Sequence, residues 1–177
     1  VPLDRAENEL VTSVIALATL ALEQNRELDT ARGQLRSALL ELMLTGNMSV
    51  ARATAHGVWG ALPKEPLSVV TIARQVRSHS VLDALESLAL DSAGRVFFAE
   101  RDNSIVVIVG QGTDRQQLAQ LIADHGLAAG SAPAADYLAL GAALVQASQT
   151  LRSSAGRPGL TDFGDIADTG MLGVLHA

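Results

Sequence analysis

The stretch Val96-Phe97-Phe98-Ala99-Glu100-Arg101-Asp102-Asn103-Ser104-Ile105-Val106-Val107-Ile108-Val109 carries two β-branched and aromatic runs around a short polar link. Val96–Ala99 and Ile105–Val109 read as strands, and a link this short with Asp-Asn inside it reads as a β-hairpin turn. Phe97 and Phe98 are neighbours in one strand, so their side chains must point to opposite faces of the sheet. At least one of them therefore packs under a helix or at an interface.

Outward from this hairpin the pattern alternates. Upstream, Leu67–Ala73 (LSVVTIA) is apolar on both parities, as expected of a buried central strand. Between them, Ser80–Leu90 places Val81, Leu82, Leu85, Leu88 and Ala89 at helical spacing. Downstream, Thr113 or Asp114 is positioned to cap a helix carrying Leu118, Leu121 and Ile122. Leu127–Gly130 reads as a short strand and Ala134–Ser153 as a helix. Gly156-Arg157-Pro158-Gly159 reads as a turn, Leu160–Phe163 as a last strand, and Leu172–Leu175 as the start of a further helix. The expected fold class is α+β: a mixed sheet with helices packed on it. A hairpin between two crossover units resembles the palm-like arrangement of nucleotide cyclases.

The N-terminal quarter differs. Residues 3 to 45 hold no proline and a single glycine, Gly33. Two series recur every seven residues: Leu3, Leu10, Leu17, Gln24, Ala31, Ala38, and Glu7, Val14, Ala21, Leu28, Leu35, Leu42. Their offset of four and then three is the seam spacing of a coiled coil. The resulting dimerisation seam is Leu3, Leu10, Val14, Leu17, Ala21, Leu28, Leu35 and Leu42. A helix of this length spans about 65 Å, more than a small domain is wide. Its stripe needs a partner, and a second copy of the helix is the simplest; the alternative is that it folds back onto its own domain. Gly46-Asn47 ends the helix as a C-cap pair. A shorter helix follows over about Ser49–Trp59, with Ser49 near its N-cap and Val50, Ala53, Ala55 and Val58 available for packing. Leu62-Pro63-Lys64-Glu65-Pro66 then breaks the chain. The expected organisation is a connector helix over 1–46, a folded domain over 47–165, and the start of a linker over 166–177.

Composition narrows the function. Hydrophobic residues make up 48% and charged residues 18%, too apolar for a disordered chain. A net charge of −6 argues against direct contact with a phosphate backbone, which Lys and Arg must neutralise. The chain has no cysteine, which removes disulfides, thiolate metal sites and thiol nucleophiles and fits a reducing cytoplasm. The uncharged run Leu10–Leu22 is well short of the ~20 residues of a membrane span, and no membrane role is expected. Beginning at Val1, the sequence reads as a portion of a longer protein.

The run Leu35-Arg36-Ser37-Ala38-Leu39-Leu40-Glu41-Leu42-Met43-Leu44-Thr45-Gly46 resembles the helix end that enters the central domain of PucR/CdaR-type transcription regulators. Leu67–Ala73, Arg95–Gly110, Gly126-Leu127-Ala128-Ala129-Gly130-Ser131, Gly156-Arg157-Pro158, Phe163-Gly164-Asp165-Ile166 and Gly170-Met171-Leu172-Gly173-Val174-Leu175 continue the likeness over nearly the whole chain. The resemblance implies a long coiled-coil helix followed by a degenerate GGDEF-like domain without cyclase chemistry. It also implies an N-terminal sensor and a C-terminal helix-turn-helix in the parent protein. DNA would then be reached only through that C-terminal domain, which is not in this chain.

The residues argue separately against catalysis. An active cyclase hairpin carries two glycines and clustered carboxylates, whereas here the tip reads Arg101-Asp102-Asn103-Ser104-Ile105. The first strand ends Thr71-Ile72-Ala73-Arg74, with no carboxylate to hold a metal against triphosphate. Gly110-Gln111-Gly112-Thr113-Asp114 lacks the spacing and lysine of a phosphate loop and reads as a tight turn into a helix. His56, His79, His125 and His176 form no metal-ligand spacing, and capping or surface roles suit them. Trp59 and Tyr137 read as packing residues, Trp59 at the helix junction. No catalytic, metal or cofactor residue is assigned. The expectation is a regulatory, dimerising module; the alternative is a sensor that binds a nucleotide or metabolite.

Overall fold

The computed structural model describes residues 5–74 and 78–165. Leu3, His176, the Leu172–Leu175 helix and the 166–177 linker lie outside them, as do the side chains of Leu10 and His79. The chain divides into two compact units, Val1–Leu35 and Arg36–Ala177.

Within the described part of the first unit there is one element, the N-terminal portion of helix α1 (Arg5–Leu44). Every described side chain from Ser13 to Arg32 is exposed. That includes Val14, Ile15, Leu17, Leu20, Leu22 and Leu28, each with more than half of its surface open.

The second unit is built on a five-stranded sheet of order β2-β3-β1-β4-β5. Its strands are β1 (Leu67–Ala73), β2 (Val96–Arg101), β3 (Ser104–Gly110), β4 (Ala128–Ala134) and β5 (Gly159–Asp162). β1 pairs antiparallel with both β3 and β4, β2 pairs antiparallel with β3, and β4 pairs parallel with β5. The first four strands thus form two interlocked split β-α-β crossovers. The hairpin closes on two residues, Asp102 and Asn103, because Arg101 already pairs with Ser104. Asp102 takes the left-handed conformation the turn demands, φ +52°.

Helices cover both faces. Val70, Ile72, Phe98, Val107 and Ala129 meet α3 (Ser78–Asp91) and α4 (Thr113–Asp124) through Val81, Leu85, Leu118 and Ile122. Leu67, Val69, Phe97, Ile108 and Ala132 meet the last turns of α1, helix α2 (Met48–Val58) and helix α5 (Leu140–Ser153). Phe97 and Phe98 fall in different cores, as alternation requires.

Several local readings are corrected. The N-cap position of α2 is Asn47, so Ser49 lies inside the helix; Ala51 and Ala55 are buried while Val50 and Val58 face outward. Gly112 occupies the N-cap position of α4, and Asp114 is drawn off to Arg95 at 2.9 Å. β4 runs on past Gly130 to Ala134, the residue read as the start of a helix. A short 3-10 turn at Tyr137–Ala139, capped by the Asp136 side chain, then leads into α5 at Leu140. Pro133 is tolerated in β4 because β5 pairs only as far as Ser131, leaving that edge open. At the other end of the connector helix, Gly46 (φ +79°) forms the C-cap with Asn47 N–H donating to the Leu42 carbonyl at 2.8 Å.

Two contacts fix how α5 and its approach sit on the sheet. A Cβ at Gly130 would overlap the Ala147 carbonyl oxygen and the Leu151 amide nitrogen, so the helix lies directly on the strand backbone. The buried Tyr137 hydroxyl donates to the Pro63 carbonyl at 2.8 Å. Gly130→Ala should therefore cost about 2–3 kcal/mol by forcing α5 off the sheet, measured as a lower urea midpoint with an unchanged slope. Burial holds the Tyr137 phenol above its ordinary value, with Arg52 working against the shift and Glu65 adding to it. A raised folded-state value means that stability is complete below the unfolded tyrosine value, about 10, and falls as pH rises above it. Urea titrations across that range should show the loss, and Tyr137→Phe should flatten it.

Candidate functional site

The last turns of α1 carry a different stripe from the seven-residue seam. Arg36, Leu39, Leu40 and Met43 are spaced i, i+3, i+4, i+7 and all four are buried. The three apolar members join the α2/α5 core, and Leu42 packs half-buried against that core. The second compact unit begins at Arg36, inside the helix.

Arg36 is the unusual member. Its side chain is only 7% exposed. The guanidinium carbon lies 4.0 Å from the Phe98 ring centroid and 5.3 Å from that of Trp59. Its Nη1 donates to Glu86 Oε2 on α3 at 2.5 Å. A buried cation needs both kinds of partner: the carboxylate answers the charge, and the ring faces replace lost water with quadrupole attraction.

One turn further, α1 grips the hairpin. Ser37 Oγ donates to the Glu100 carbonyl at 2.8 Å, and Glu41 lies 3.4 Å from Arg101 Nε. Arg101 is two-thirds covered and paired within its own chain. Glu100 is answered by Arg74 at the end of β1, at 2.9 Å. The hairpin end thus holds salt bridges to α1 and to the end of β1. Asp102 is almost fully exposed beside Arg101.

The remaining singled-out groups have local partners. His56 Nδ1, in the last turn of α2, lies 2.7 Å from the Gly60 carbonyl, and His125 Nδ1, at the C-cap of α4, lies 3.0 Å from that of Leu121. Arg115, just inside α4, bonds Asp162, Ser131 and Ser68 and ties the 110–114 turn to β5. Among the described residues no three His, Cys, Asp or Glu side chains gather as a metal site.

One predicted seam residue, Leu42, packs against the junction's own core. Val14, Leu17, Ala21 and Leu28 are exposed, and Leu35 and Leu42 are half-covered. Arg36 and Glu86 were missed as a pair. Arg36 heading an apolar i, i+3, i+4, i+7 stripe was the available signal; the sequence offers none for its partner, 50 residues away. Compared with known proteins, the chain matches no family model, no curated protein and no solved structure.

Breaking the pair should expose its worth. Arg36→Met is expected to cost about 2–3 kcal/mol and Glu86→Gln about 1, the latter reduced because Glu86 is 31% exposed. In the double variant the losses should fall short of their sum by at least about 0.5 kcal/mol. Strictly additive urea midpoints would show that the two side chains do not act together.

Proposed function

We propose that this chain is a catalytically inactive regulatory and dimerisation region of a PucR/CdaR-type transcriptional regulator. Two copies join along Val14, Leu17, Ala21 and Leu28, with Leu35 at the inner end of the seam. The single observation that carries the reading is the open apolar surface of the helix: Val14 is 56%, Leu17 68% and Leu28 57% exposed. An isolated helix leaves such surface in water at a cost of about 1.5–3 kcal/mol per large side chain. Pairing two copies recovers on the order of 10 kcal/mol before the cost of association is deducted.

The junction supplies the second half of the reading. In this proposal the helix is the input, and Arg36, Ser37 and Glu41 hand its position to the sheet through Glu86, Glu100 and Arg101. A sensor before the helix and a helix-turn-helix after the domain belong to the parent protein. The folded domain couples the two without nucleotide chemistry, in keeping with a hairpin tip occupied by ion pairs. No described helix is long and apolar enough to cross a membrane, and the module is proposed to act in the cytoplasm.

Sedimentation equilibrium checks this directly. The chain should be a dimer at concentrations of about 10 µM and above. Leu28→Asp should convert it to a monomer while the circular dichroism and urea midpoint of the folded unit hold. A wild-type chain that stays monomeric, or a Leu28→Asp chain that stays dimeric, overturns the proposal.

A further inference from the structure

Beside Arg36 lies a cavity of about 180 Å³, rimmed by the exposed Val58 and Leu90. Trp59, Leu62, Ala89 on α3 and the Val96–Phe98 stretch of the edge strand β2 line it, with Arg36 as the charged group in its lining. A dry apolar cavity of roughly 150 Å³ holds a benzene molecule. This space therefore accepts one aromatic ring with a small substituent and excludes a nucleotide.

The polar handle is specific. A guanidinium carries five N–H donors in a planar fork, and Glu86 accepts from Nη1. Among the described residues no buried side-chain nitrogen or oxygen lacks a hydrogen-bond partner. Nη1 is the nitrogen that Glu86 engages, and the same side chain lines the cavity. The charge of Arg36 is already answered. A carboxylate entering here would leave an excess negative charge in a low-dielectric pocket, whereas a neutral carbonyl accepts a charge-assisted hydrogen bond without that cost.

We infer that this cavity is a binding site for a small neutral aromatic or heteroaromatic molecule bearing one carbonyl-type acceptor. The ring lies beside Trp59 and the edge of β2, and the acceptor meets the Arg36 guanidinium. The site stands on the cavity and does not depend on the dimer. Because Arg36 belongs to α1, a ligand here acts at the foot of the connector helix.

The chain has a single tryptophan, and it lines the cavity. Trp59 fluorescence therefore reports occupancy. Benzamide, toluene and benzoate serve as probes of equal ring size. Benzamide should give a saturable change with half-saturation of about 1 mM, at least fivefold tighter than toluene, which lacks the acceptor, and tighter than benzoate. Ala89→Leu, which fills the cavity from a half-buried helix position, should abolish the response to all three while the thermal midpoint holds. Arg36→Met should erase the preference for benzamide over toluene. An unsaturable benzamide response, or an Ala89→Leu chain that binds unchanged, overturns the site. Benzoate binding as tightly as benzamide overturns the neutral-ligand assignment.

Discussion

Strand β1 has no face open to water. Leu67 through Ile72 are buried in both directions, and the strand is hydrogen-bonded along both edges, to β3 and β4. Every layer follows from that constraint. Val70 and Ile72 require α3 and α4 on one side, while Leu67 and Val69 require a cover on the other. Helix α5 supplies part of that second cover; α2 and the last turns of α1 supply the rest. A helix that would otherwise be an appendage is thereby built into the core through Leu39, Leu40 and Met43.

Burial of those turns dictates the chemistry at their upper end. Arg36 opens the buried stripe, too deep to keep its charge in water, and its surroundings are arranged to compensate: Glu86 from α3, the Phe98 face from β2 and the Trp59 face from the end of α2. Three elements thus meet on one side chain. The hairpin is caught by the same helix through Ser37 and Glu41, so the sheet edge and the helix foot are held together by polar contacts as well as packing. A displacement of the helix at this point has to move the hairpin, α3 or both.

Much of the fold was legible because its signals are local. The hairpin is written in two β-branched runs, though Glu100, Arg101 and Ser104, read as link, belong to its strands; β1 is written in an unbroken apolar run, and α3 and α4 in period-3.6 spacing. The C-cap at Gly46-Asn47 was equally plain. β4 was half missed because Ala128–Ala134 reads Ala, Ala, Gly, Ser, Ala, Pro, Ala, poor strand formers by intrinsic preference. The reason lies in the tertiary structure: α5 lies so close that only small side chains fit beneath it, at Gly130 most of all. Val58 and Leu138 look like packing residues yet face outward, because α2 buries its alanines and α5 begins only at Leu140. The Arg36–Glu86 pair joins residues far apart in sequence, and no periodicity announces such a partner. The period of seven along α1 is plain in the sequence, but the point at which its last turns enter the core depends on the sheet.

The account therefore turns on one helix that changes company at Arg36. Hydrogen–deuterium exchange at two protein concentrations resolves its two halves in a single experiment. Amides of residues 14–28 should be protected at high concentration and lose that protection on dilution, because their cover is a second molecule. Amides of residues 39–44 should exchange slowly at both, because their cover is the sheet they share a chain with. Protection over residues 14–28 that ignores dilution, or none at any concentration, would contradict the account.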